Sequence, residues 1–179
     1  MPSGKNFMKV ATAVKAMVAR AFMAPGDVRV LLQKDHDEAL DLAEKMQKAT
    51  QPGRRKEILK KLKPALVAHS RAEEKEVYNA LLKLKKSKES QDMANEGFVE
   101  HSLLDELLDS LARGAATSDN WKARAKVLHE LLDHHVSEEK TEMFVDLGEN
   151  FTSAQLIAMG TRFERTKQAL LKKGTRKAS

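Results

Sequence analysis

A chain of 179 residues with a net charge of +6 and a pI near 9.4 is long enough for one domain with a substantial core and short for two. It contains no cysteine, which excludes disulfides, thiolate zinc sites, iron–sulfur clusters and cysteine nucleophiles, and leaves nitrogen and oxygen as the metal donors. Charged residues make up 32% and aromatics 4%, and Ala, Leu, Lys, Glu and Met dominate, so the composition predicts an all-α protein.

Residues 1–26 form a basic amphipathic N-terminal extension, in which Lys5, Lys9, Lys15 and Arg20 stand among Phe7, Met8, Val10, Val14, Met17, Val18 and Phe22 without any acid. Such a segment could be a targeting or membrane-surface helix. Lys15 and Arg20 interrupt its apolar run, however, so a docked or loosely ordered extension of a cytoplasmic protein is favoured. Nowhere is there a run of roughly 18 apolar residues to span a bilayer. Asp27 is the expected N-cap of a first helix reaching about Thr50. Gln51-Pro52-Gly53 makes a turn, and residues 54–86 predict a second helix, kinked or divided at Pro64.

A third helix is predicted over 89–113, ended by Gly114 in a left-handed conformation. Residues Thr117 to Asn120 offer caps for a fourth, which reaches about Leu147 and is closed by Gly148. Thr152 or Ser153 caps a final helix over 153–172, followed by a basic tail, residues 172–179. Short connections favour antiparallel neighbours, hence an up-down-up-down four-helix bundle within residues 27–171, with the N-terminal segment and the C-terminal helix outside it. Each end carries four basic residues and no acid. That leaves 24 basic against 26 acidic residues between 27 and 171, so the body is not basic and nucleic acid is a disfavoured partner.

Four of the six histidines occupy a repeated frame: His36 followed 33 residues on by His69-Ser-Arg-Ala-Glu73, and His101 followed 34 on by His135-Val-Ser-Glu-Glu139. Aligning 69 with 135 also aligns Leu62 with Leu128, Leu66 with Leu132 and Tyr78 with Phe144, so the chain reads as two equivalent helical hairpins. A helical residue advances about 100°, so residues four apart share a face. His69 and Glu73 are in phase with Leu62 and Leu66, while Glu74 falls well away. Leu128, Leu132 and Val136 centre the apolar face on His135 and Glu139 rather than on His134 and Glu138. His36 is in phase with Leu32 and Leu40, and His101 with Phe98, Leu104 and Leu108.

One inward histidine is usually a hydrogen-bonded core residue. Four of them with Glu73 and Glu139, and no basic residue placed to serve both carboxylates, point to a pair of metal ions. Imidazole and carboxylate suit iron or manganese, and zinc can also be held. Asp105, four residues after His101, could be a ligand, an acceptor orienting an imidazole, or a carboxylate reaching water. Glu76 and Glu142 match in the repeat but are expected to be exposed. His129-Glu130 with His134 departs from zincin spacing, and no Glu-x-x-His of the ferritin-like kind occurs.

These residues resemble a hemerythrin-like domain of the His-His-Glu cation-binding type. Its carriers are Asp35-His36, His69 to Glu74 with Tyr78, Glu100-His101, and His135 to Glu139 with Phe144, across residues 27–147. The resemblance implies a non-haem di-iron centre, two iron ions with an oxo or hydroxo bridge, in which His36, His69, His101 and His135 are terminal ligands and Glu73 and Glu139 are bridges. It further implies binding of, or reaction with, a small ligand such as O2, NO or H2O2, with an unidentified reductant or signalling partner. Peroxide- or NO-reactive oxidoreductase chemistry is one form; an iron sensor or storage module is the alternative. Oxygen-carrying hemerythrins have a histidine where this chain has Asp105, and an aspartate five residues after the helix-four histidine, where this chain has Glu139 at four. Fewer imidazoles would favour ferric iron and an exchangeable position over reversible oxygen carriage.

Overall fold

The computed structural model describes residues 23–84 and 87–177, with side chains to Lys173, so the expectations for residues 1–22 and for the last two residues lie outside it. Its helices are α1 (Val28–Lys48), α2 (Pro52–Glu73), α3 (Lys88–Arg113), α4 (Asp119–Glu138) and α5 (Ser153–Lys177). Two of them run on through a wide turn. A π-helical segment, Glu74–Tyr78, extends α2 to a last α turn at Asn79–Leu81, and another, Glu139–Met143, extends α4 into Phe144–Asn150. Among the described residues there is no strand. The protein is all-α.

Local chemistry explains the starts. The Asp27 carboxylate accepts from the Arg29 backbone N–H at 3.0 Å, and Ser118 Oγ accepts from the Trp121 N–H at 3.2 Å. Thr152 forms a capping box: its N–H donates to Gln155 Oε1 at 2.8 Å while its hydroxyl faces the Gln155 N–H. Several ends differ from expectation. Helix α2 is not divided at Pro64; its irregularity lies at the π turn, and it closes at Leu81 rather than 86. Gly114 is extended (φ −76°, ψ 160°), not left-handed, and it admits close contact with Ser110 O and Trp121, which a Cβ would meet at 3.1 and 3.2 Å. Gly148 does not close the fourth helix, which passes through it to Asn150. A Cβ there would meet the Arg29 guanidinium at 2.6 Å, and that guanidinium donates to the Phe144 carbonyl. Helix α5 continues to Lys177 instead of ending at 172.

Helices α1 to α4 neighbour one another in a ring, and α5 lies against α1 and α2. Two apolar clusters lie at opposite ends. Ala43, Met46, Leu62, Leu66, Leu104, Leu108, Trp121, Leu128 and Leu132 fill one; Val28, Leu32, Val77, Leu81, Ala94, Leu147, Leu156 and Phe163 fill the other. Along α1 and α3 the chain passes from the second cluster to the first, and along α2 and α4 it returns, the expected up-down-up-down order. In each of α1 to α4 the motif histidine falls at the crossing between clusters. The polar residues of the repeat are thus collected into one layer, sealed above and below by hydrocarbon.

Candidate metal centre

His36, His69, His101, His135, Glu73 and Glu139 all lie in that layer, none more than 5% exposed. They meet in two histidine pairs: His36 and His69 have Nε2 atoms 3.1 Å apart, and His101 and His135 have theirs 3.2 Å apart. Each glutamate reaches across from one pair to the other. Glu73 Oε2 is 3.2 Å from His69 and 3.6 Å from His101; Glu139 lies 3.0 Å from His36 through Oε2 and 3.7 Å from His135 through Oε1. Donor atoms of His36, Glu73, His135 and Glu139 all fall within 4.8 Å of one another. Helical phase separated the two adjacent histidines correctly: His135 is buried, while the His134 side chain is 58% exposed.

The outer ring nitrogens are held crosswise. Asp35, next to His36 in sequence, faces His69 Nδ1 at 3.2 Å; Glu100, next to His101, faces His135 Nδ1 at 2.7 Å; Glu74, next to Glu73, faces His101 Nδ1 at 3.1 Å. Such carboxylates fix the proton on Nδ1 and turn Nε2 inward as a donor to a metal. Position 74 corresponds to 140 in the second hairpin. Lys140 stands there and pairs with Asp37 instead, and His36 Nδ1 makes no hydrogen bond among the described residues. The two halves are therefore unequal.

Tyr78 and Phe144 reach the centre because of the π turns. Each stands five residues after a cluster glutamate, where an unbroken α-helix would carry it off the face, and the extra residue in the turn brings it back. The Tyr78 hydroxyl donates to Glu139 Oε1 at 2.6 Å while its ring stacks on His101; Phe144 stacks on His36. Gly97 of α3 makes room for that phenol, since a Cβ would lie 2.5 Å from Tyr78 Cζ and Oη. Gly97→Ala is expected to displace Tyr78, lower stability by about 1–3 kcal/mol, and weaken metal affinity roughly tenfold. Thermal melting and metal titration check this; an unchanged affinity would separate Tyr78 from the centre.

Two side chains depart from expectation. Glu74, placed off the inner face by α-helical projection, holds His101. Glu76, expected to be exposed, is buried, bonded to Arg162 and Thr166 of α5, whereas Glu142 is exposed as expected. Asp105 faces Arg71, which also binds Glu74, so it supports His101 through two intermediaries instead of pointing at the cluster. Burial raises its pKa, opposed by that guanidinium.

The buried imidazoles and carboxylates shift one another in opposite directions. Burial would lower His69 and His135, but Glu73 with Asp35, and Glu139 with Glu100, instead raise them to about 10 and about 9. Burial lowers His36 and His101 to about 4, against the pull of Glu139 and Glu74. Burial and the Glu139 charge raise Glu73 to about 7, whereas Glu139, despite burial, is held low by His135 and His36. Both Glu73 oxygens and Glu139 Oε2 lack a hydrogen-bond donor of good geometry. Six convergent nitrogen and oxygen donors, four of them imidazoles, fit bound metal.

A family model described as the hemerythrin HHE cation-binding domain matches residues 27–147. The chain belongs to this family. A DNA nickase from a Nostoc species is 22% identical over 144 residues; the match covers 80% of this chain but 40% of that protein, so the chain spans less than half the length of the curated relative. No solved structure matches significantly. As a hemerythrin-like domain the chain has a metal-binding function, with its buried histidine and glutamate cluster in the bundle interior. No described helix is long and apolar enough to cross a membrane.

Proposed function

We propose that this hemerythrin-like bundle is a non-haem di-iron protein that binds or reacts with a small neutral ligand, O2, NO or H2O2. The observation that carries the reading is the pair of bridges: each buried glutamate touches one histidine of each pair, as two ions shared between two carboxylates require. His36 with His69 would hold one ion and His101 with His135 the other. When bound, the iron pair would supply redox equivalents and an exchangeable coordination position. The chain's own groups then differ by side. Phe144 and Phe163 keep the first pair dry, Phe163 lying edge-on to His69, while Tyr78 offers a hydroxyl donor beside the second. Burial and the charges of Glu139 and Glu73 hold that phenol well above its ordinary pKa, so it keeps its proton for donation.

The nickase name of the Nostoc relative raises a nucleic-acid reading for this chain. A slightly acidic body and an inward-facing donor set support a small ligand instead. The test is to purify the protein from iron-replete cells, measure iron per chain, and follow its near-ultraviolet ferric absorption on addition of H2O2 or NO. Two irons and a responsive spectrum are expected. Iron-free protein, or a spectrum indifferent to both ligands, would overturn the proposal.

The contact of α5 with the centre favours a second reading, in which metal occupancy is signalled to a partner. Lys167 of α5 binds Asp35 at 2.9 Å, and Asp35 holds His69. Under that reading α5 becomes strongly protected from protease on metal loading, without turnover of any ligand.

A further inference from the structure

The buried layer needs a way in for a hydrated cation, and two cavities reach it from opposite sides. One, of about 260 Å³, ends at His69 between α1, α2 and α5, and Lys34 and Lys167 stand in its walls. The other, a cleft of about 210 Å³ between α3 and α4, ends at Tyr78, His135 and Glu139. Its walls carry Glu89, Asp92, Glu96, Glu100, Glu138 and Glu142, with no lysine or arginine among the lining residues. Walls of one sign focus the field and raise the local concentration of the opposite charge. Glu139, at the floor, is buried, and its Oε2, 3.0 Å from His36, lacks a hydrogen-bond donor of good geometry.

Above that floor three further ligating groups converge. His134 Nε2 lies 3.3 Å from Glu138 Oε1 and 3.9 Å from Glu100 Oε1, and one donor from each of the three falls within 4.8 Å of the others. Their side chains step inward from 58% exposed at His134, through 40% at Glu138, to 10% at Glu100. Glu100 belongs to both levels, because its other oxygen holds His135 Nδ1 at 2.7 Å.

We propose that the acidic α3–α4 cleft is the uptake route for the divalent cation, with Glu100, His134 and Glu138 as a transit metal site at its mouth. The inference rests on the metal-centre reading above. A hydrated ion attracted into the cleft exchanges waters for the His134 imidazole and two carboxylates, then moves past Glu100 to the donors of Glu139 and His135. The opposite cavity is of mixed sign, with Asp35, Glu38 and Glu164 beside Lys34 and Lys167 in its lining, so it lacks the one-sign field of the cleft.

The experiment uses cobalt(II) alone with the metal-free full chain, its visible absorption reporting entry to the inner centre by stopped flow. The His134→Ala/Glu138→Gln double variant should reach the wild-type two-ion endpoint and spectrum roughly ten or more times more slowly, with a weaker dependence on salt. Lys34→Gln, in the opposite cavity, should load at the wild-type rate. His134 is exposed and Glu138 half-buried, and the shared endpoint spectrum reports an intact fold. In parallel, manganese(II) titration followed by EPR should show a weaker third ion in the wild type that His134→Ala removes. Wild-type loading rates in the double variant, or no third ion, would overturn the route while leaving the inner centre standing. A wild type that takes up no cobalt would overturn the centre itself.

Discussion

Glu73→Gln should leave a folded bundle that binds at most one iron per chain. The substitution keeps shape and burial while removing the carboxylate that touches His69 and His101, one ligand from each pair. Its effects on the two forms of the protein are opposite in sense. In the metal-free form, burial and Glu139 raise Glu73 to about 7, so above neutrality it ionises at a cost to stability. A neutral amide removes that burden, and the metal-free variant should melt at or above the wild-type temperature at pH 8. The stabilisation that iron gives the wild type, by contrast, should largely disappear. Iron analysis and paired melting curves check both halves, and a variant that still holds two irons would remove Glu73 from the centre.

The second large effect is on pH. His69 and His135, raised to about 10 and about 9, both carry protons at pH 7.5 that an incoming cation must displace. Metal affinity should therefore rise with pH by roughly a hundredfold per unit between pH 7 and 9, with about two protons released per filled centre, and then flatten. Stability of the metal-free form should run the other way. Groups whose folded pKa is raised stabilise fully below the unfolded value near 6.5, and that contribution is lost as pH rises through 9 and 10. His36 and His101, depressed to about 4, contribute stability that is lost only as pH falls from 6.5 towards 4. Melting curves between pH 7 and 10.5, with and without iron, should diverge. Proton release near zero at pH 7.5 would show that the cation does not compete for these imidazoles.

Helix existence, the antiparallel order and the inward choice of His135 over His134 were legible because hydrophobic phase depends only on spacing. The two π turns were not. Projection at 100° per residue assumes an unbroken α-helix, so it threw Glu74 outward and could not explain why Tyr78 and Phe144 matter. Matched aromatics five residues after matched glutamates were the available signal, and they pointed to the inserted residue in each turn. The crosswise carboxylates were hidden for another reason. Asp35 and Glu100 sit beside one histidine in sequence but orient a histidine on the next helix, a fact of packing rather than of spacing. Asp105 read as inward by phase, yet Arg71, one turn from Glu74, captures it. Gly148 read as a helix stop, whereas the close approach of Arg29 accounts for it; Gly114 does end α3, but in an extended conformation packed against Trp121.

Anomalous diffraction at the iron edge from crystals of the iron-loaded protein tests the central claim most directly. Two peaks are predicted inside the polar layer, one against His36 and His69 and one against His101 and His135, with Glu73 and Glu139 each reaching both. A single peak, or iron bound elsewhere while the six side chains keep only one another as partners, would contradict it.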